Sequence, residues 1–231
     1  MNYAIILSGG TGTRLGNARP KQYITVANKP VIMYSIEKFE RNTNVDKIII
    51  VASDEWKDFI DQLMSEYVIT KYIGTALAGK SRQHSILSGL EYAKEHGSDD
   101  NDIIVVHDAA RPCVSDNIIN NCINILDEAD GAMPVISVKD TVYMSKDGEY
   151  IDTLLNRDNI YAGQAPESFR FGKYYKANTT LTEEQLLSTR GSSEVAYKAG
   201  MKVKLFNGEE TNYKITTIDD LYKFEKECMN L

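Results

Sequence analysis

The chain has 231 residues, 42% of them apolar, and a formal net charge of −7; that is enough to build the core of one large α/β domain with a small appendage. The acidic balance argues against a general nucleic-acid surface, which needs clustered Lys and Arg, so any phosphates have to be bound locally. Cys113, Cys122 and Cys228 show no CxxC spacing, which points to neither a zinc site nor a disulfide framework and fits a reduced, cytoplasmic setting.

The opening MNYAIILSGG has no basic leader and runs straight into glycine, so Tyr3 to Leu7 reads as a first strand rather than a targeting segment. No stretch approaches the ~18–20 apolar residues of a membrane-spanning helix. Lys47 to Val51, Val68 to Tyr72 and Asp102 to Val106 are further short β-branched runs, expected as buried strands of a parallel sheet. Between them lie helical segments: VIMYSIEKFE after Pro30, DEWKDFIDQLMSEY capped by Ser53 and Asp54, and RQHSILSGLEYAKEH after Ser81. The series predicts a Rossmann-like, mostly parallel sheet flanked by helices. After Gly131 to Val135 the pattern changes to short extended runs around Lys146-Asp147-Gly148, expected to form a protruding β-arm at about 137–162. Helices are expected near Phe171 to Asn178, at Ser192 to Ala199 and from Ile218, with a strand at Lys202 to Phe206. With no repeats and no low-complexity linker, residues 1–231 read as one domain that includes the arm.

The first strand is followed by LSGGTGTRLG and then Pro20-Lys21-Gln22. In an open parallel sheet the carboxyl ends of the strands are where ligands bind. Gly9, Gly10 and Gly12 let backbone N–H groups approach phosphate oxygens, and Arg14 adds a permanent multidentate cation. The spacing is neither GxxxxGK[ST] nor GxGxxG, since Leu15 stands where the last glycine would fall. Asp54 is a weak candidate for the ribose-binding acid of a dehydrogenase, which leaves hydride transfer as a distant rival. Asp108, just after DIIVV, falls at the same sheet edge, a position suited to holding Mg²⁺. His107 reads as a hydrogen-bonding structural residue rather than a catalytic base.

GGxGxRxG followed by PKQ resembles the signature of nucleotidyltransferases acting on sugar and polyol phosphates. AGKSRQHSILSGL and HDAARP narrow the resemblance to the cytidylyltransferases that make CDP-methylerythritol or CDP-ribitol, over Ala4 to about Leu221. The resemblance implies that Leu7, Ser8, Gly9, Gly10, Thr11 and Gly12 wrap the triphosphate of CTP. Arg14 and Lys21 would neutralise charge as the α-phosphate is attacked. Gly79, Lys80, Arg82 and Ser85 belong to a loop from Ala78 that recognises cytosine and ribose. Asp108 is implied as a metal or acceptor contact and the cofactor is Mg²⁺. Arg111, Thr141, Arg157, Thr189 and Lys214 match acceptor-binding positions; Thr141 and Arg157 are those that reach a neighbouring subunit, which implies a homodimer through the arm.

The resemblance implies a small polyol phosphate as the acceptor. Arg157 to Tyr161 followed by GQAPESFR resembles the ribitol-phosphate branch, and Thr211 stands where the methylerythritol branch usually has an acid. DAARP, in contrast, is commoner in the methylerythritol branch. Ribitol-5-phosphate or a related pentitol phosphate is therefore the expected acceptor, with 2-C-methyl-D-erythritol 4-phosphate as the alternative and a non-catalytic nucleotide binder as a remote one. The chain departs from both branches at Ala165 (usually Thr), Glu167 (usually Gln) and Arg190 (usually Asp). Arg190 is expected either to belong to a retuned acceptor pocket or to be a surface substitution without consequence.

Overall fold

A computed structural model of the chain describes residues 1–10 and 19–229. In chain order the first half contains β1 (Asn2–Leu7), β2 (Thr25–Val26), β3 (Lys29–Pro30), α1 (Val31–Arg41), β4 (Lys47–Ala52), α2 (Lys57–Glu66), β5 (Tyr72–Leu77), α3 (Arg82–Glu95) and β6 (Ile103–Asp108). The second half contains α4 (Asp116–Asn124), β7 (Gly131–Ser137), β8 (Val142–Met144), β9 (Thr153–Leu155), β10 (Tyr161–Gly163), β11 (Glu167–Arg170) and α5 (Phe171–Thr179). It ends with α6 (Glu183–Ser188), α7 (Ser192–Lys198), β12 (Val203–Asn207) and α8 (Ile218–Met229).

An eight-stranded sheet runs β10-β7-β11-β6-β1-β4-β5, with β12 also paired to β7. β1 pairs in parallel with β4 on one side and β6 on the other, whereas β11 is antiparallel to both β6 and β7. The sheet is thus mixed and largely parallel, flanked by helices, as the alternating segments predict. Because side chains alternate along a strand, Tyr3 and Ile5 of β1 enter one core and Ala4 and Ile6 the other. α1, α2 and α4 cover the second of these faces and α3, α5 and α7 the first. Strands buried on both faces have to be apolar throughout, which is why β4 reads KIIIVA and β6 begins IIVV.

One predicted strand is displaced. Val68 and Ile69 lie in the turn that ends α2, and β5 starts only at Tyr72. Val68 has φ +53° and is 71% exposed, while Val68 N–H donates to Ser65 O and Ile69 N–H to Met64 O. This is a helix-terminating turn in which a β-branched residue occupies the left-handed position that glycine normally takes. The start of α2 also differs: a single 3₁₀ turn, Asp54–Trp56, precedes it, and Ser53 makes no side-chain cap. Ser81 does cap α3, accepting from His84 N–H. β8 and β9 form the expected arm hairpin, with Gly148 at φ +79° in its connection. Among the described residues no helix is long and apolar enough to cross a membrane.

Candidate active site

The carboxyl ends of β1, β5 and β6 open on a cavity of about 480 Å³. It is lined by Leu7, Ser8, Gly9 and Gly10 after β1, Lys21 and Gln22, and Gly79, Lys80, Ser81, Arg82 and Ser85 after β5. Asp108, Ala109 and Ala110 after β6, with Lys214 and Thr216, complete the lining. Thr11, Gly12 and Arg14 lie outside the described residues.

The loop after β1 is held from below. Buried Gln22 donates through Nε2 to Ser8 O and, at 2.8 Å, to Gly10 O. The Tyr23 hydroxyl donates to Ser8 Oγ at 3.0 Å, which in turn donates to Val51 O at 3.0 Å. Burial pushes the Tyr23 phenol up to about 12, so it stays protonated and keeps this donor role. Tyr23 stacks on Trp56 with centroids 4.5 Å apart, and the Arg19 guanidinium lies 4.7 Å from the Phe59 ring centre. Close packing makes one glycine indispensable: a Cβ on Gly9 would fall 2.3 Å from the Ala78 Cβ, where the loops after β1 and β5 touch. In the second loop the Ser85 hydroxyl accepts from Gly79 N–H at 3.1 Å and donates to Ser81 O at 3.1 Å, so Ser85 shapes the loop it lies beneath.

Asp108 is the electrostatic hub. Lys214 Nζ lies 2.8 Å from its Oδ2, Arg82 Nη2 3.3 Å from Oδ1, and Arg111 Nε 3.9 Å from Oδ2. Burial alone would raise its pKa, but Arg82 and Lys214 outweigh it and hold the carboxyl far below the usual range. Asp108 is therefore a fixed negative charge. Burial lowers the affinity of Arg82 for its proton, yet Asp108 and Glu167 reverse this and raise its pKa. For Arg111 burial prevails and the pKa is lowered. The segment bearing Lys214 is stitched to the loop after β6 by Arg111 Nη1 to Asn212 O at 2.6 Å and Ile215 N–H to Ala110 O at 2.8 Å.

His107 is fully buried, and its Nε2–H donates to Arg111 O at 3.1 Å. Burial lowers its pKa to about 4, so the ring is neutral and structural rather than a proton carrier. The thiols are inert as well, since burial raises all three pKa values, that of Cys113 to about 12.

Chain folding thus gathers Leu7, Ser8, Gly9, Gly10, Lys21, Gly79, Lys80, Arg82, Ser85, Asp108 and Lys214 around one cavity, with Arg111 beside Asp108. It does not bring Thr141, Arg157 or Thr189 into the lining. Arg157 is exposed on the arm and donates through Nη1 to Lys139 O at 2.7 Å; Thr141 is exposed too. Thr189 is buried at the end of α6, its hydroxyl donating to Gln185 O at 2.7 Å. Arg190 is exposed and lines no part of the cavity. Gln22 and Thr216 line it without having been singled out, although Gln22 directly follows Lys21 and Thr216 lies two residues after Lys214, both of which were.

Among the described residues the cavity is lined by four cations, Lys21, Lys80, Arg82 and Lys214, and one carboxylate, Asp108, a balance suited to a polyanion such as a nucleoside triphosphate. Residues 2–227 match the family model described as IspD, 2-C-methyl-D-erythritol 4-phosphate cytidylyltransferase. The chain is 34% identical to a ribitol-5-phosphate cytidylyltransferase of Lactiplantibacillus plantarum, covering 96% of this chain and 95% of that one. It is 33% identical to a 2-C-methyl-D-erythritol 4-phosphate cytidylyltransferase of Clostridium acetobutylicum, covering 97% and 96%. Among solved structures, the 4-diphosphocytidyl-2C-methyl-D-erythritol synthase of Anaerococcus prevotii superposes with a TM-score of 0.83 at 25% identity, over 100% of this chain and 96% of that one. The chain belongs to the IspD family of cytidylyltransferases and is a nucleotidyltransferase that acts on a polyol phosphate.

Proposed function

We propose that the chain transfers the cytidylyl group of CTP to ribitol-5-phosphate or a related pentitol phosphate, releasing pyrophosphate. The observation that carries the nucleotide half is the convergence of the loops after β1, β5 and β6 on one cation-lined cavity. An oxygen of the acceptor phosphate attacks the α-phosphorus of CTP in line, the bond to the β-phosphate breaks, and pyrophosphate leaves with the electron pair. Both reactants are anions, so the protein's task is alignment and neutralisation of charge. Lys21 and Arg14 take that role at the triphosphate, and Gly79, Lys80, Arg82 and Ser85 belong to the loop that receives cytosine and ribose. Arg111, Thr189 and Lys214 serve the acceptor.

The donor set also fits magnesium. Mg²⁺ is usually bound by one or two carboxylates together with substrate phosphates, and Asp108 is the cavity's carboxylate among the described residues and is kept ionised. Asp108 would hold the ion, which supplies further neutralisation of phosphate charge.

Thr141 and Arg157 serve the site of a second copy. The arm that carries them exposes Tyr143, Met144, Tyr150, Ile151 and Leu154, apolar surface that a homodimer would cover.

The local resemblance from Arg157 through GQAPESFR favours the ribitol branch. Methylerythritol phosphate is the second reading, supported by near-equal identity to curated relatives of both kinds. Pyrophosphate release from CTP and Mg²⁺, measured with ribitol-5-phosphate, other pentitol phosphates and 2-C-methyl-D-erythritol 4-phosphate, decides between them. The expected order of kcat/KM places a pentitol phosphate first; a higher value with methylerythritol phosphate would transfer the assignment to the second reading.

A further inference from the structure

Glu167 stands behind the cavity wall. It is 6% exposed, lies opposite Val106 of β6, and is absent from the lining. Its Oε2 accepts from Ser193 N–H at 2.8 Å and from the Ser193 hydroxyl at 2.5 Å, while Oε1 lies 3.7 Å from Arg82 Nη2. Arg82 is thus set between two carboxylates. Asp108, which lines the cavity, is 3.3 Å away and Glu167 slightly farther, and Arg82 Nη1 donates to Ser192 Oγ at 2.6 Å.

When a reactant draws Asp108 into its own contacts, Arg82 loses its nearer counter-charge. A guanidinium with only about a quarter of its side chain exposed is disfavoured when left without one. An amide at position 167 could still accept from Ser193 but would offer no charge.

Resting on the cytidylyltransferase reading, we propose that Glu167 is a positioning residue that takes over Arg82 when Asp108 engages the reactants. It thereby keeps the Arg82–Ser192 link, and with it the segment from Thr189 to Ser193, in place. The bland alternative is that Glu167 only caps α7, whose N-cap residue Gly191 has no side chain to do so. The two roles respond oppositely to substitution. E167Q keeps an acceptor for Ser193 and removes the charge; E167D draws back from both partners, which breaks the short hydrogen bonds to Ser193 but keeps a negative charge near Arg82, whose attraction falls off only slowly with distance.

The test compares acceptor KM and kcat from pyrophosphate release with CTP affinity from titration calorimetry in wild type, E167Q and E167D. The expected result for E167Q is an acceptor KM raised about tenfold or more with lowered kcat, CTP affinity weakened as well because Arg82 belongs to the loop that receives the nucleotide, and E167D within about threefold of wild type throughout. Near-normal E167Q kinetics, or impairment of E167D alone, overturns the proposal. Should E167Q not fold, E167D and S193A, which both retain the charge, are expected to stay within about threefold of wild type, and a tenfold loss in both overturns it. A wild-type protein that releases no pyrophosphate with any polyol phosphate refutes the functional reading itself and the proposal with it; an active wild type with an unaffected E167Q refutes the proposal alone.

Discussion

Asp108 remains ionised inside the protein because Lys214, Arg82 and Arg111 surround it. At an effective dielectric of about 20, each close pair contributes several kcal/mol of attraction, comparable with the desolvation penalty of an ion. His107, its neighbour in sequence, goes the other way, with burial holding its pKa near 4 against an ordinary 6.5. Between these values the unfolded chain binds a proton that the folded chain refuses. Stability therefore falls as pH drops from about 6.5 towards 4, by up to ~3 kcal/mol from this residue. Urea midpoints across that range should slope less steeply for His107→Gln than for wild type, and equal slopes would contradict the assignment. At this scale the motifs made the polar lining of the cavity largely legible, because Asp108 ends β6 and Lys21 and Arg82 follow the glycine-containing segments after β1 and β5. Gln22, which holds the first loop, was not, since a buried glutamine bonded to backbone carbonyls has no spacing signature of its own.

Among elements, β1, β4 and β6 were readable because strands buried on both faces are apolar without interruption. β5 was misplaced because Val68 and Ile69 have the composition of a strand but do the work of a helix terminus. That position carries an avoidable cost. A non-glycine residue in the left-handed region is disfavoured by ~1–2 kcal/mol, and the exposed Val68 side chain has little packing to lose. Val68→Gly should raise stability by about 1 kcal/mol, roughly 2–4 °C in Tm for a chain of this size. Thermal unfolding of the variant checks this, and a lowered Tm would show that Val68 makes contacts worth more than its strain. α6 went unread although its signal was present: Thr182 and Gln185 form a capping box three residues apart. β11 had no comparable signal, because its four residues ESFR are buried by β6 and β7 rather than by any pattern of their own.

At the scale of the whole molecule, the proposed acceptor residues are divided between the cavity and the exposed arm. Thr141 and Arg157 are exposed on an apolar arm and do not line the cavity of their own chain. If the arm serves a second copy, Lys21→Ala and Arg157→Ala damage different halves of each site. Lys21→Ala alone should lower kcat by about 10²–10³ or more, since it removes charge stabilisation of the transition state. Mixing the two inactive variants after dissociation and reassociation should then restore about one quarter of wild-type activity, because half of the dimers are mixed and each holds one intact site. No recovery on mixing would place Arg157 in its own chain's site or outside the reaction. By itself the sequence determined the alternating sheet and put two motifs at the ends of β1 and β6, since parallel strands leave their outgoing loops on one edge, whereas the third, from Ala78, falls at a strand end only because β5 runs on to Leu77. Only the tertiary structure decided that Lys214 meets Asp108 across 106 residues of chain and that Glu167 stands behind Arg82. Such pairings depend on how distant segments are stitched together and on burial, which no local spacing records.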